Sequence, residues 1–181
     1  MAKKKKITSN DIISWYMDYV LEHNHQPKTV YAFAKANNFD EQMFYDFFGS
    51  FDAVEKHVFS AFHHNTVRVI ESSDDYPNYE PRHKLLSFYF TFFENLTANR
   101  SYVKFALDQH KTNLKAMELL KDLKREFTGY IERLGIDLID IKQEQIDRVQ
   151  QRGLKETAWL QLLLTMKFWL DDTSPAFEKT D

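Results

Sequence analysis

The sequence predicts an all-α protein with a small helical head and a larger helical body. Only four Gly and four Pro interrupt the 181 residues, and Val and Thr hardly alternate with polar residues. Both observations argue against a β-sheet. Apolar residues recur instead at helical spacing, and a hydrophobic content of 43% is enough for one or two small domains with a real core.

Composition also limits the possible environment and chemistry. The absence of Cys excludes disulfides, thiol catalysis and Cys-ligated metals, and it fits a reducing cytosol. No apolar run reaches the length of a membrane span, and the start MAKKKKITSND lacks the apolar segment of a secretion signal. We therefore expect a cytoplasmic protein without stable membrane insertion.

The first helix is predicted over residues 9–22, with Ser9 or Asn10 as its N-cap. Pro27 disfavours helix at the residue before it and ends this segment. His23 and His25 follow at a spacing that places them on different helix faces, with no third ligand nearby, so loop histidines are expected rather than a metal site. The predicted buried stripe comprises Ile12, Ile13, Tyr16, Tyr19 and Val20.

Residues 28–50 predict two short amphipathic helices joined by a turn. Asn37 and Asn38 tolerate the left-handed backbone that ends one helix, and Asp40 is expected to cap the next. Two short helices with such a turn form a helix-turn-helix, whose second helix can enter a DNA major groove. The two apolar faces comprise Val30, Phe33 and Ala34, and then Met43, Phe44, Phe47 and Phe48.

A family likeness rests on Thr29, Val30, Phe33, Ala34, Asn37, Asn38, Phe39, Asp40, Phe44, Tyr45, Phe48, Gly49 and Ser50. This stretch resembles the signature of the tetracycline-repressor (TetR) family, T-[TV]-x-x-I-A-x-x-A-G-V-S-x-x-x-L-Y-x-[YH]-F-x-S-K. Asn37 replaces the family's Ala and Asn38 its Gly. Phe51 occupies the position of a Lys that contacts phosphate.

The resemblance implies a DNA-binding head with a basic N-terminal arm over residues 1–50, and a ligand-binding and dimerisation domain over residues 51–181. It implies that Lys28, Thr29 and Tyr45 contact phosphates, while Gln42 and Met43 face base edges; Gln can pair with adenine, and Met can contact a thymine methyl group. The arm comprises Lys3, Lys4, Lys5 and Lys6.

The charge distribution of the head runs against DNA binding. Residues 7–56 contain three bases and eight acids, within a net charge of −3 for the whole chain. Only the lysine arm reverses this sign. It either contacts phosphates or the minor groove, or it is a solvated, disordered tail.

The body is predicted to begin with a long helix over residues 51–72, capped by Ser50, and a loop over residues 72–81. His57, His63 and His64 lie along this helix and are expected to be packing or surface residues, not metal ligands. Further helices are predicted from residue 84, over residues 101–109, over 113–134 with Gly135 as C-cap, and from near 146 or 153 to 170. The last is apolar nearly all round, which predicts a domain centre or half of a homodimer interface.

The aromatic residues of the body fit either a filled core or an apolar ligand cavity. The candidates for lining such a cavity are Phe88, Phe92, Tyr102, Phe105, Phe127, Tyr130, Trp159 and Leu163.

The C-terminal segment carries a second likeness. Asp172, Ser174, Pro175, Phe177, Glu178 and Thr180 follow the pattern D-x-S-P-x-F-E-x-T. This pattern resembles a segment of the TetR-fold lipid-binding proteins of coenzyme Q biosynthesis, which bind isoprenoid lipids and have lost DNA binding. Ser174 and Pro175 are expected to start a new helix that continues beyond Asp181 in a longer chain.

The sequence contains no Gly-rich phosphate loop, no HExxH and no G-x-S-x-G motif. We therefore expect no enzyme, no catalytic residues, no metal and no cofactor. The resemblance favours a homodimeric transcriptional regulator, a repressor, with double-stranded DNA and a hydrophobic small molecule or lipid effector as partners. The alternative is a lipid or isoprenoid carrier of the same fold without DNA binding.

Overall fold

The computed structural model describes residues 7–110, 113–136, 144–177 and 179–180. All regular structure in these ranges is helical, as the sequence predicts. The α-helices are α1 (Ser9–His23), α2 (Val30–Ala36), α3 (Glu41–Phe47), α4 (Phe51–Glu71), α5 (Pro81–Ala98), α6 (Arg100–Gln109), α7 (Asn113–Leu119), α8 (Lys121–Arg133) and α9 (Glu144–Asp171), and two 3-10 turns cover Tyr76–Asn78 and Pro175–Phe177. Across the described ranges, no helix is both long enough and apolar enough to span a membrane.

The chain forms two compact units. Unit 1 comprises Met1–Ala61 and Asn99–Leu120, and unit 2 comprises Phe62–Ala98 and Lys121–Asp181. Unit 1 therefore contains α1 to α3, the first part of α4, and the whole of α6 and α7. The predicted boundary after residue 50 separates a DNA-binding head from a ligand-binding body. It stays a prediction, because a division into compact units does not show which residues contact DNA.

Aromatic rings fill the core of unit 1. The ring of Phe51 stacks on Tyr16 at 5.6 Å between centroids, and its edge contacts involve Phe33 at 5.4 Å and Phe44 at 5.2 Å. Burial of such rings contributes most of the stability of a small helical unit. Phe51 thus belongs to the core rather than to the surface.

The N-cap of α1 is Thr8, one residue before the predicted Ser9 or Asn10. The backbone N–H of Asp11 donates to the Thr8 hydroxyl at 3.2 Å, and the Thr8 N–H donates to the Asp11 carboxylate at 2.8 Å. This reciprocal pair is a capping box, which satisfies two amide hydrogens at the start of the helix.

The core of unit 2 lies among α5, α8 and α9. Phe88 is fully buried, and its ring centroid lies 5.4 Å from Phe92, 5.3 Å from Phe127 and 4.9 Å from Tyr130. The hydroxyl of Tyr130 pairs with that of Tyr76 at 2.8 Å and donates to the Lys84 carbonyl at 3.0 Å. Hydrogen bonding of this hydroxyl offsets the desolvation cost of burying it.

Three helix boundaries differ from the predictions. Helix α5 begins at Pro81, three residues before the predicted start at residue 84. Residues 113–134 form two helices, α7 and α8, and the division between unit 1 and unit 2 falls at the break between them. Leu119 and Leu120 are buried before this point, and Leu123 is buried after it. The final helix begins at Glu144, before both predicted starts, and continues through Gly153.

Candidate DNA-binding helix pair and apolar cavity

The helix pair α2–α3 is built by short-range hydrogen bonds. The Ala32 N–H donates to the Thr29 hydroxyl at 3.1 Å, which caps α2. At the other end, the Asn37 side chain donates to the Phe33 carbonyl at 2.9 Å, and Asn38 adopts the left-handed conformation with φ 57°. Asn is among the few residues that accept this backbone readily, so the predicted turn is present.

The predicted capping role of Asp40 is wrong. Asp40 occupies the N-cap position of α3 in an extended conformation, but its side chain makes no capping hydrogen bond. The first turn of α3 is instead closed by the Met43 N–H, which donates to the Asp40 carbonyl at 2.9 Å.

One face of α3 is anchored and the other is accessible. Phe44 is fully buried and fixes the helix on the core of unit 1. Gln42 is exposed, Tyr45 is 50% exposed, and Met43 is half-buried. Of the two proposed base-facing residues, Gln42 is therefore the more accessible.

The remaining proposed DNA contacts have different surroundings. Lys28 is exposed just before α2, whereas the hydroxyl of Thr29 already accepts the capping hydrogen bond. A hydroxyl has a second lone pair and a proton, so this cap is compatible with a phosphate contact. The lysine arm, residues 3–6, lies outside the described residues.

Acidic side chains share the surface of α3. Asp40 and Asp46 are exposed, and Glu41 is half-buried. Like charges near DNA phosphates oppose binding, although at 0.1 M ionic strength salt largely screens exposed charges that are more than about 10 Å apart. The electrostatics of the described head therefore favour DNA contact only near Lys28 and Lys35.

A cavity of about 790 Å³ lies in unit 2 beside α5, α9 and the second 3-10 turn. Its walls combine leucine and aromatic side chains with a few hydroxyl, amide and charged groups. This composition suits a mostly apolar ligand of drug or fatty-acid size. The lining residues are Arg82, Leu85, Leu86, Tyr89, Phe90, Phe93, Glu94, Thr97, Ala98, Gln161, Thr165, Trp169, Phe177 and Thr180.

None of the eight predicted cavity residues lines this space. Phe88, Phe92, Phe127 and Tyr130 are buried in the core of unit 2, where their rings pack on one another. Trp159 is buried and Leu163 half-buried on α9. Tyr102 and Phe105 lie on α6, in unit 1.

The C-terminal segment forms part of the cavity wall. The Ser174 N–H and hydroxyl donate to one Asp172 carboxylate oxygen at 2.8 and 2.6 Å, and the Thr180 hydroxyl donates to the other at 2.8 Å. These hydrogen bonds, chiefly from the Ser174 hydroxyl, lower the pKa of Asp172 to about 2. They hold the loop that carries Phe177, whose φ of 59° is rare for a bulky residue.

Trp169 connects this segment to α5. Its indole N–H donates to the Thr97 hydroxyl at 3.0 Å, and its ring centroid lies 6.4 Å from that of Phe177. The aromatic wall of the cavity is therefore positioned by polar contacts at its edge. The D-x-S-P-x-F pattern marks this region in the sequence.

A buried carboxylate in unit 1 links α1, α4 and the residue after α6. Glu55 is 3% exposed and accepts from the Tyr16 hydroxyl at 2.7 Å. Its second oxygen lies 3.0 Å from Nε2 of His110. Burial, followed by the negative charge of Glu55, raises the pKa of Tyr16 well above its usual range, so this hydroxyl stays protonated and donates.

Sequence reasoning missed one group with metal-ligand chemistry. One donor atom each from His63, His64 and Glu126 lies within 4.8 Å of the others. Burial, with His64 as a smaller cause, lowers the pKa of His63 to about 4, so this imidazole is neutral at pH 7. The adjacent histidines are visible in the sequence, but the third ligand candidate, Glu126, lies on α8, more than 60 residues further along the chain.

Comparison with known proteins identifies the second half of the chain. A family model described as "Tetracyclin repressor-like, C-terminal domain" matches residues 84–181, more than half of the sequence. No curated protein and no solved structure matches the chain.

Proposed function

The chain belongs to the tetracycline repressor-like family, and on that premise we propose that it is a DNA-binding transcriptional repressor controlled by a hydrophobic small molecule. The observation that carries this proposal is the α2–α3 pair. Its turn is closed by Asn38, its second helix is anchored by Phe44, and Gln42 projects from the accessible face. A helix held in this way can enter a major groove and read base edges.

The proposed DNA contacts of the head are of two kinds, to phosphates and to bases. Lys28, Thr29 and Tyr45 contact phosphates and set the register of the protein on DNA. Gln42 and Met43 face the bases, and the lysine arm adds phosphate or minor-groove contacts that depend on salt. The regulator acts in the cytoplasm, where it meets its operator.

We further infer that the repressor is a homodimer. Leu160, Leu164 and Phe168 recur at i, i+4 and i+8 along α9, and each is more than half exposed. An exposed apolar stripe of this kind is typical of a subunit interface. A symmetric dimer that spaces its two α3 helices by about 34 Å reaches two successive major grooves.

The proposed effector site is the apolar cavity of unit 2. A hydrophobic compound or lipid binds along α5 and α9, and the linking helix α4 transmits the change to the head, as in the family that the sequence resembles. Such coupling requires that the ligand bind one conformation of the protein more tightly than the other.

Binding to labelled upstream DNA of its own gene tests the regulator proposal, with Gln42→Ala as the variant. Loss of a bidentate base contact should cost about 1–3 kcal/mol of discrimination and leave non-specific binding unchanged. Gln109→Ala, an exposed glutamine at the end of α6, is the matched control. Equal binding by Gln42→Ala and wild type to operator and competitor DNA would remove α3 from the proposed interface.

The cavity is tested with a fluorescent fatty-acid probe and Phe90→Glu. Phe90 lines the cavity and is 49% exposed, so a charge there should weaken binding of the probe without unfolding the protein. We expect at least about a tenfold loss of affinity, since burying a charge beside an alkyl chain costs more than 1.4 kcal/mol. Leu114→Glu, at a highly exposed leucine of α7, is the control. Unchanged probe affinity in Phe90→Glu would place the ligand elsewhere.

A second candidate function is a lipid or isoprenoid carrier without DNA binding. The acidic surface of α3 and the burial of Phe51 in place of a phosphate-binding Lys favour it. The likeness of the C-terminal segment to lipid-binding proteins adds support, because this segment lines the cavity. A carrier should bind the fluorescent probe but not DNA, even at low salt, whereas a repressor should bind both. The two assays together therefore separate these functions.

A further inference from the structure

His63 is buried in unit 2 without the hydrogen bonds that a buried imidazole normally makes. It is 1% exposed, and among the described residues neither of its ring nitrogens has a partner. Its ring lies against Phe88 at 5.3 Å and Tyr130 at 6.2 Å between centroids. Since buried polar atoms nearly always have a partner, this histidine points to a ligand.

Two further donors stand beside it. His64 follows on α4, and its Nε2 atom lies 3.5 Å from the Oε2 atom of Glu126 on α8. One donor atom from each of the three residues lies within 4.8 Å of the other two. His64 is exposed and Glu126 is half-buried, so an ion can reach both side chains from solvent.

We propose that His63, His64 and Glu126 form a binding site for a divalent transition metal ion, with Zn²⁺ favoured by the donor set. Two imidazole nitrogens and one carboxylate oxygen are ligands that zinc binds at about 2.0–2.2 Å. The site contains no thiolate, so it does not select soft ions such as Cu(I). Three protein ligands leave a fourth position for water or for a donor atom of a small molecule.

The surroundings provide space and several charged side chains. The three ligands border a cavity of about 380 Å³ that is also lined by Arg68, Glu71 and Arg133. Arg68 donates to the Asn65 side chain at 2.6 Å, and the guanidinium of Arg133 lies 6.0 Å from the Tyr130 ring centroid. Glu126 also accepts from the Arg125 guanidinium at 3.1 Å through its Oε1 atom, which leaves Oε2, the atom nearest to His64, for the ion.

The test is isothermal titration of ZnCl₂ into the full-length chain without a histidine tag. We expect one site per chain, weakened in His64→Ala and in Glu126→Gln by more than the ~10-fold that loss of an outer-shell partner costs. Zn²⁺ should also raise the melting temperature of the wild type and leave that of Glu126→Gln unchanged. His64 is exposed and Glu126 is only half-buried, so we expect both variants to keep the fold that a buried His63→Ala change risks losing.

Two controls separate this site from adventitious binding by other histidines. His83→Gln, at an exposed histidine of α5, should bind Zn²⁺ as the wild type does. The double variant His23→Gln/His25→Gln removes a second close pair of rings, 6.0 Å apart, and should also bind normally. No binding by the wild type, loss of binding in the double variant, or full binding in both His64→Ala and Glu126→Gln would each overturn the proposal.

Discussion

Phe51 begins α4 with its ring in the core of unit 1, where it contacts three other aromatic rings. In the signature that this head resembles, the same position holds a Lys that contacts phosphate. A buried phenyl group provides no such contact. Each lost cation also reduces the slope of log K against log salt concentration by about one unit. At this position, therefore, a side chain that packs in the core replaces the positively charged side chain of the signature.

Phe51→Ala should therefore destabilise the protein strongly. Truncation of a buried Phe costs about 3–5 kcal/mol, because the transfer free energy is lost and a cavity remains. Phe47→Ala, at a 44% exposed ring four residues earlier, should cost less than about 1 kcal/mol. Urea unfolding of both variants measures the difference, and equal costs would contradict the core role of Phe51.

Asp172 makes a contribution to stability that depends on pH. Its pKa of about 2 in the folded chain lies below the ~3.9 of an unfolded aspartate, so the ionised form favours folding. The contribution is complete above about pH 4 and is lost as pH falls towards 2. Asp172→Asn should be less stable than wild type at pH 7, with a difference that shrinks at pH 2.5. A difference independent of pH would contradict the assignment.

At the scale of elements, the helix pair was predictable because its determinants are local. The spacing of Phe33, Ala34 and Phe44 defines the buried faces, and the two asparagines define the turn. Asp40 shows the limit of such reasoning, since its residue type permits a cap that the structure does not form. A suitable residue at the N-cap position is a preference, and the local geometry decides whether the bond is made.

Asn38 gives a test of the turn. Its φ of 57° is unfavourable for a β-branched residue, so Asn38→Val should cost about 1–2 kcal/mol. Asn38→Gly, which restores the residue of the family signature, should be neutral or stabilising because Gly adopts positive φ without strain. Thermal unfolding compares the two variants, and a Val variant as stable as the Gly variant would exclude a left-handed turn in solution.

The cavity could not be assigned from the sequence. Helix α5 carries apolar residues on more than one face, and both Phe88 with Phe92 and Leu86 with Phe90 are spaced by four residues. Only tertiary packing decides that the first pair enters the core and the second borders the cavity. The same holds for the His63, His64 and Glu126 cluster, since its members come from two helices that are distant in sequence.

For the whole molecule, the proposed homodimer rests on the exposed apolar stripe of α9. Leu164 is 58% exposed at the centre of this stripe, and Leu164→Glu should turn the proposed homodimer into a monomer. A charge placed opposite its own symmetry mate is repelled and costly to desolvate. Analytical ultracentrifugation measures the mass, with Leu114→Glu as a control that should remain dimeric. A dimeric Leu164→Glu variant would place the interface on another surface.

The balance of charge is the feature on which the proposed function depends most. The described part of the head is acidic overall, and the sequence places four lysines in the arm before α1. If the arm supplies most of the phosphate contacts, deleting residues 3–6 should lower affinity for all DNA sequences alike and flatten the salt dependence.

The most direct test of the regulator proposal is binding of the full-length protein to its own upstream DNA, titrated against salt with competitor DNA present. The proposal predicts specific binding that survives competitor and weakens steeply between about 50 and 200 mM salt. Absence of binding even at about 50 mM salt, where non-specific phosphate contacts should suffice, would contradict it. The second proposal, a lipid or isoprenoid carrier without DNA binding, would then take its place.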